Sequence, residues 1–149
     1  MSERLLTEEA VRVGLHAASR RDAIQQAGAL LMEVGAVEAA YVEAMHDREE
    51  SLSSYVGEGF ALPHGTDASR KFIKRPALAF LQYPEGVDWD GESVRACVAI
   101  AALSDEHTEV MARLAQILLD ADKANLLRTT SDPQDVVELF EPEKTEAGS

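Results

Sequence analysis

Two apolar runs, residues 77–83 and 94–103, constrain this chain more than any other feature. Ala77-Leu78-Ala79-Phe80-Leu81-Gln82-Tyr83 is apolar at almost every position, and so is Val94 to Leu103 but for Arg95. A strand with one solvated face alternates apolar and polar residues, whereas a strand covered on both faces reads as a continuous apolar run. Such strands need cover above and below, and the rest of the sequence supplies it. Ser19 and Asp22 form a helix start, followed by Ala23, Ile24, Ala27, Leu30, Leu31 and Val34 at helical spacing and Gly35 as the residue past the end. A second helix is expected at about 38–50, burying Ala40, Tyr41, Ala44 and Met45. A third starts at Ser104 or Asp105 and carries Val110, Met111, Leu114, Ile117 and Leu118. A shorter one is expected at 121–127, and a last one from Asp132-Pro133 through Phe140, with proline in its first turn.

The remaining strands are shorter. Residues 11–17 alternate and read as a strand, and residues 59–62 read as a short one halted by Pro63. The serines after Glu50, with Gly57, read as a connection, and Pro84-Glu85-Gly86 as a turn. The resulting order, β-α-α-β-β-β-α-α-α, is that of an α/β layered sandwich: a mixed sheet with helices on both faces. At 149 residues the chain fits one domain, 1–140, with 141–149 expected as a disordered, acidic tail.

A net charge of −13 disfavours phosphate backbones and anionic lipid, so nucleic acid is not expected as a partner, and a basic protein surface is favoured instead. The N-terminal residues lack the pattern of a signal peptide, and no apolar stretch approaches the ~18 residues of a membrane span. A cytoplasmic protein without membrane insertion is the expectation. One cysteine, Cys97, excludes an internal disulfide and sits in an apolar run as a small core hydrophobe.

Four histidines are the candidates for chemistry near neutral pH. His16 closes a strand and His46 lies within a helix; both read as structural. His64 follows Pro63 and precedes Gly65 and Thr66, which puts it on a turn at the C-terminal end of a strand, where open α/β sheets meet their ligands. Backbone N–H groups and the Thr66 hydroxyl there suit phosphate oxygens. On the residues alone, His64 reads equally as a turn histidine without a role. His107 opens a helix after the long apolar run, where backbone donors and the helix dipole gather anions, or it is simply a helix-start histidine. Arg48, flanked by Asp47, Glu49 and Glu50, is either part of a solvated cluster or a guanidinium fork for phosphate oxygens. Arg70, Lys71, Lys74 and Arg75 form a basic run that reads mainly as a solvated face, and otherwise as charge that raises the potential near a phosphoryl group. The histidines lack metal-ligand spacing, and there is no P-loop, nucleophile elbow or dinucleotide fingerprint, so neither a metal nor a cofactor is expected.

Four segments then fall into a pattern. Gly57-Glu58-Gly59-Phe60-Ala61-Leu62-Pro63-His64-Gly65-Thr66 resembles the phosphorylation-site motif of enzyme IIA domains of the mannitol/fructose class of the bacterial sugar phosphotransferase system. Residues 41–50, Gln82-Tyr83-Pro84-Glu85-Gly86-Val87 and Asp105-Glu106-His107 match in order around it, so the resemblance runs from about Leu5 to Phe140. The wording Pro-His-Gly-Thr and Gln-Tyr-Pro-Glu-Gly-Val is closer to mannitol-type members than to fructose-type or nitrogen-regulatory ones. The resemblance implies an α/β sandwich that accepts a phosphoryl group on His64 from the phosphocarrier HPr and passes it to a cysteine of a IIB domain during sugar uptake. It implies that His107 and Arg48 line the site, and it calls for no metal and no cofactor. A regulatory phosphoacceptor keeps the same chemistry for another purpose; a metal-dependent hydrolase using His64 and His107 and a plain interaction domain are the readings of other classes.

Overall fold

The computed structural model describes residues 6–102 and 104–140, apart from the side chains of residues 104–107. The five strands are β1 (Val11–Arg12), β2 (Tyr55–Gly57), β3 (Phe60–Ala61), β4 (Ala77–Trp89) and β5 (Glu92–Ala101), in the sheet order β1-β4-β5-β3-β2. The helices are α1 (Arg20–Glu33), α2 (Ala39–Ser51), α3 (Ser104–Leu119), α4 (Ala121–Thr129) and α5 (Pro133–Phe140). β1 runs parallel to β4 and β3 parallel to β5, while β4–β5 and β2–β3 are antiparallel, so the sheet is mixed.

The two apolar runs became β4 and β5, the long central pair, and every residue from Ala77 to Tyr83 is buried. Two adjacent polar-tipped residues of β4 show why both faces need cover. Successive side chains of a strand point to opposite faces. The Tyr83 hydroxyl donates to Gln26 Oε1 of α1 at 2.9 Å, while Gln82 Nε2 donates to the carbonyls of Leu127 and Thr130, at the end of α4, at 3.0 and 2.7 Å. One face is therefore roofed by α1 and the other by α4. Buried polar groups placed in this way also fix the register of helix on sheet, because leaving any of them unpaired is costly.

The starts and stops of the helices follow local chemistry. Ser19 caps α1, its Oγ accepting the Asp22 N–H at 3.1 Å, and Asp22 answers by accepting the Ala18 N–H at 2.9 Å. Pro133 opens α5. Four expectations need correction. Ala40 of α2, read as buried, is exposed. The first strand is only Val11–Arg12, because the chain bends at Gly14, where the Gly14 N–H donates to Gln82 Oε1 at 3.1 Å and the Leu15 N–H donates to the Gln82 carbonyl at 2.9 Å. Residues 55–57, read as connection, form β2 against β3. Pro84-Glu85-Gly86 is not a turn: β4 continues to Trp89 through a register irregularity between Gln82 and Val87. The true hairpin turn is Asp90-Gly91, with φ of 55° and 94°, the two positive angles that a two-residue hairpin matching strand twist requires. The polar stretch after His64 contains a 3-10 helix, Asp67–Phe72. The tail 141–149 and the side chains of the Ser104 or Asp105 cap lie outside the described residues.

Candidate functional site

The sheet topology brings two strand ends together. β3 lies parallel to β5, with Phe60 opposite Ala96 and Ala61 opposite Cys97, and the pairing resumes past the proline as an isolated parallel bridge between His64 and Ile100. The Ile100 N–H donates to the Pro63 carbonyl at 2.9 Å, which keeps the histidine beside the last residues of β5. Both chains leave the sheet at this end: one into the 3-10 helix, the other into α3, whose fourth residue is His107. The side chain of His107 lies outside the described residues.

His64 is half-buried, and its Nδ1 sits 2.7 Å from the Leu62 carbonyl oxygen. A carbonyl only accepts, so Nδ1 carries the proton, and in a neutral imidazole the lone pair then belongs to Nε2. The backbone thus selects which nitrogen keeps a lone pair. The next residue is held as tightly. The Gly65 N–H donates to the Tyr41 hydroxyl at 3.0 Å, and that hydroxyl donates to the Ile100 carbonyl at 2.8 Å. Tyr41 therefore ties the His64 turn to β5, and the Gly65 N–H is spent within the protein rather than presented to a ligand. Burial raises the Tyr41 phenol above its ordinary value of 10.0, the Gly65 bond and the nearby Arg70 partly offsetting it, so the hydroxyl stays protonated. A Cβ on Gly65 would run into Ser69 Oγ and lie 2.7 Å from the Tyr41 ring, so only glycine fits there without a shift of its neighbours.

Around this core lies a depression of about 330 Å³, lined by His64, Arg48, Thr66, Arg70, Tyr41 and their neighbours Gly65, Asp67 and Ala102. Arg48 reaches it from the last turn of α2, its Nη1 donating to the Leu52 carbonyl at 2.6 Å. Arg70 reaches it from the 3-10 helix, its Nη2 3.4 Å from Asp67 Oδ1. Two guanidinium groups and an oriented imidazole thus share one concavity, the donor set that suits an oxyanion with several equatorial oxygens.

The candidates named from sequence separate cleanly. His64, Arg48 and Thr66 come together; Ala102, which also lines the depression, precedes the helix that carries His107. His16 is exposed beside Glu85 at 3.7 Å, and His46 is buried against Gln25 at 2.9 Å, its pKa lowered by burial and by the neighbouring Arg21. Cys97 is fully buried in β5, and burial pushes its thiol pKa up. The basic run divides. Lys71 lies over the Phe72 ring at 5.4 Å and Arg75 donates to the Val34 carbonyl at 2.5 Å, while Arg70 faces the depression. Sequence reasoning favoured a solvated face for the whole basic run, without singling out Arg70, and placed Tyr41 in the core. The signal for Arg70 was its distance of six residues from His64, within reach of a single tight turn. Among the described residues no group of three His, Cys, Asp or Glu is placed to hold a metal ion, and no helix is long and apolar enough to cross a membrane.

The chain is similar to known proteins over most of its length. The family model described as "Phosphoenolpyruvate-dependent sugar phosphotransferase system, EIIA 2" matches residues 4–142. The mannitol-specific phosphotransferase enzyme IIA component of Staphylococcus aureus is 36% identical over 141 residues, covering 95% of this chain and 97% of that protein. The crystal structure of IIA mannitol from Escherichia coli aligns with a TM-score of 0.83 and 37% identity, over 91% of this chain and 98% of that one. A complex of enzyme IIAMTL with phosphorylated enzyme IIBMTL from Escherichia coli aligns with a TM-score of 0.83 and 35% identity, over the same 91% and 98%.

Proposed function

We propose, because this chain belongs to the EIIA 2 family of the phosphoenolpyruvate-dependent sugar phosphotransferase system, that it carries a phosphoryl group on His64 between phospho-HPr and a cysteine of its cognate IIB domain, in the uptake of mannitol. The observation that carries the reading is the 2.7 Å contact of His64 Nδ1 with the Leu62 carbonyl, which leaves Nε2 as the nucleophilic nitrogen.

The step balances without a proton transfer. The Nε2 electron pair of His64 attacks phosphorus in line as the P–N bond to the donor histidine breaks, and that bond's electrons stay with the departing nitrogen. His64 keeps its Nδ1–H and the cationic character it gains by phosphorylation falls beside the Leu62 carbonyl. The onward step replaces the new P–N bond by a P–S bond to the acceptor thiolate. Phosphoryl transfer has a loose transition state, so the protein's contribution is position and charge. Arg48 and Arg70 supply cationic donors to the equatorial oxygens, with Thr66 at the rim and His107 from the first turn of α3. Both donor and acceptor proteins must reach the same nitrogen, which an open depression beside the exposed Leu52 allows. The net charge of −13 favours encounter with a basic face on the partner.

Incubation with phospho-HPr tests the reading. His64→Ala abolishes labelling, and His107→Ala keeps the fold while transfer falls. A His64→Ala protein labelled on histidine to the wild-type extent would overturn the assignment.

A further inference from the structure

Two neighbouring residues near the end of α2 face different ways. Arg48 lines the depression, while Glu49 is buried with 5% exposure. Glu49 Oε2 accepts two hydrogen bonds, from the Trp89 indole N–H at 2.9 Å and from the Ser54 N–H at 3.0 Å. From Ser54 the path continues to the reacting ring. The Leu62 N–H donates to the Ser54 carbonyl at 2.9 Å, and His64 Nδ1–H donates to the Leu62 carbonyl at 2.7 Å. A single buried carboxylate is thus joined to the imidazole through two main-chain residues. The Ser54 hydroxyl is buried with no hydrogen-bond partner among the described residues, so the polar grip on Ser54 is through its main chain.

We infer that Glu49 is a positioning residue for phosphoryl acceptance: it fixes Ser54, Ser54 fixes Leu62, and the Leu62 carbonyl fixes the tautomer and orientation of His64. The inference rests on the proposed role of His64. The coupling is geometric. The N–H and C=O of one residue belong to different peptide units, so what passes along the path is place rather than polarisation. A carboxylate suits the position because two N–H groups converge on one oxygen, and an apolar side chain would leave both unpaired in the interior. Arg48 secures the same segment by donating to the Leu52 carbonyl at 2.6 Å. The segment 52–54 therefore holds a phosphate-facing cation and the acceptor ring in one frame.

The test uses the full chain as wild type, Glu49→Ala, Glu49→Gln and Trp89→Phe. Each is measured for the His64 ring tautomer by long-range 1H–15N NMR, for the rate of phosphoryl acceptance from phospho-HPr, and for Tm. Wild type shows the Nδ1–H tautomer. Glu49→Ala populates the other tautomer and slows acceptance by ~10- to 100-fold, the scale of a small misplacement of a reacting group. Glu49→Gln, whose amide oxygen accepts the same two N–H groups, restores both. Trp89→Phe loses stability but leaves the Ser54 arm in place, and keeps the wild-type tautomer and rate. The inference is overturned if Glu49→Ala lowers Tm while tautomer and rate stay wild type, or if Trp89→Phe reproduces its changes. Should Glu49→Ala not fold, Glu49→Asp, a methylene shorter, carries the same comparison, with a mixed tautomer expected and a wild-type tautomer decisive against. If wild type itself accepts no phosphoryl group on His64, the proposed function falls, while the tautomer comparison still judges Glu49.

Discussion

Replacing Tyr41 by phenylalanine removes one oxygen and two hydrogen bonds from a side chain that is only 3% exposed. The ring stays, so packing is nearly conserved, and the cost is that of the two groups left behind. The Ile100 carbonyl, in the interior of the sheet, loses its 2.8 Å donor, and the half-buried Gly65 N–H loses its 3.0 Å acceptor. An unsatisfied buried group costs ~1–3 kcal/mol, and the Gly65 end has some access to water, so a total of about 2–3 kcal/mol is expected. For a domain near 150 residues each kcal/mol lowers Tm by ~2–4 °C, giving a drop of roughly 4–12 °C by calorimetry. Because Leu62 still selects the His64 tautomer, phosphoryl acceptance falls without vanishing. The difference between the two proteins also has a pH dependence. The folded chain holds the Tyr41 proton above pH 10.0 while the unfolded chain releases it, so the unfolded state binds fewer protons there and stability declines as pH rises further. The gap between wild type and Tyr41→Phe therefore narrows in alkali. A variant whose Tm matched wild type within about 1 °C at neutral pH would refute the reasoning, since it would mean that the turn after His64 is held by something else.

Arg70→Gln should slow phosphoryl acceptance by ~10-fold at nearly unchanged Tm, because its 3.4 Å pairing with exposed Asp67 contributes little to stability; a variant with wild-type transfer rates would remove Arg70 from the site. Wild-type stability should fall as pH drops below the ordinary histidine value of 6.5: buried His46 resists protonation in the folded state, the unfolded chain takes up the proton, and stability is lost downward from there. In His46→Gln that part of the slope disappears in denaturant titrations, and an unchanged slope would assign it to another group. Ser54→Ala removes a buried hydroxyl that has no hydrogen-bond partner among the described residues and keeps both main-chain bonds, so Tm should stay level or rise, and a marked fall would reveal a partner for that hydroxyl.

The layered architecture was legible because burial on both faces leaves a direct trace: residues 77–83 are apolar almost throughout, and the two polar tips among them, Gln82 and Tyr83, point to opposite layers. What local pattern could not supply was pairing. β2 is three residues long and exists because β3 lies beside it, so serines and a glycine read as loop. Pro84-Glu85-Gly86 drew the turn away from Asp90-Gly91, although Asp-Gly is the stronger hairpin signal; the proline is tolerated because the strand pairing is irregular there. The chemistry followed the same division. His64 was marked by its neighbours Pro63 and Gly65, and the close approach of Ser69 and Tyr41 explains the glycine. Arg70 and Glu49 were hidden inside charge runs, where sequence alone does not say which side chain turns inward. Sequence placed Tyr41 correctly in the core, yet its hydroxyl's two bonds depend on strands that meet only in the fold.

The most direct measurement is the identity of the phosphorylated nitrogen. After transfer from phospho-HPr and quenching in alkali, 31P and 15N NMR of the intact chain should find the phosphoryl group on Nε2 of His64, with Nδ1 still protonated toward Leu62. A phosphoryl group on Nδ1 of that ring, or on His16, His46 or His107, would contradict the account.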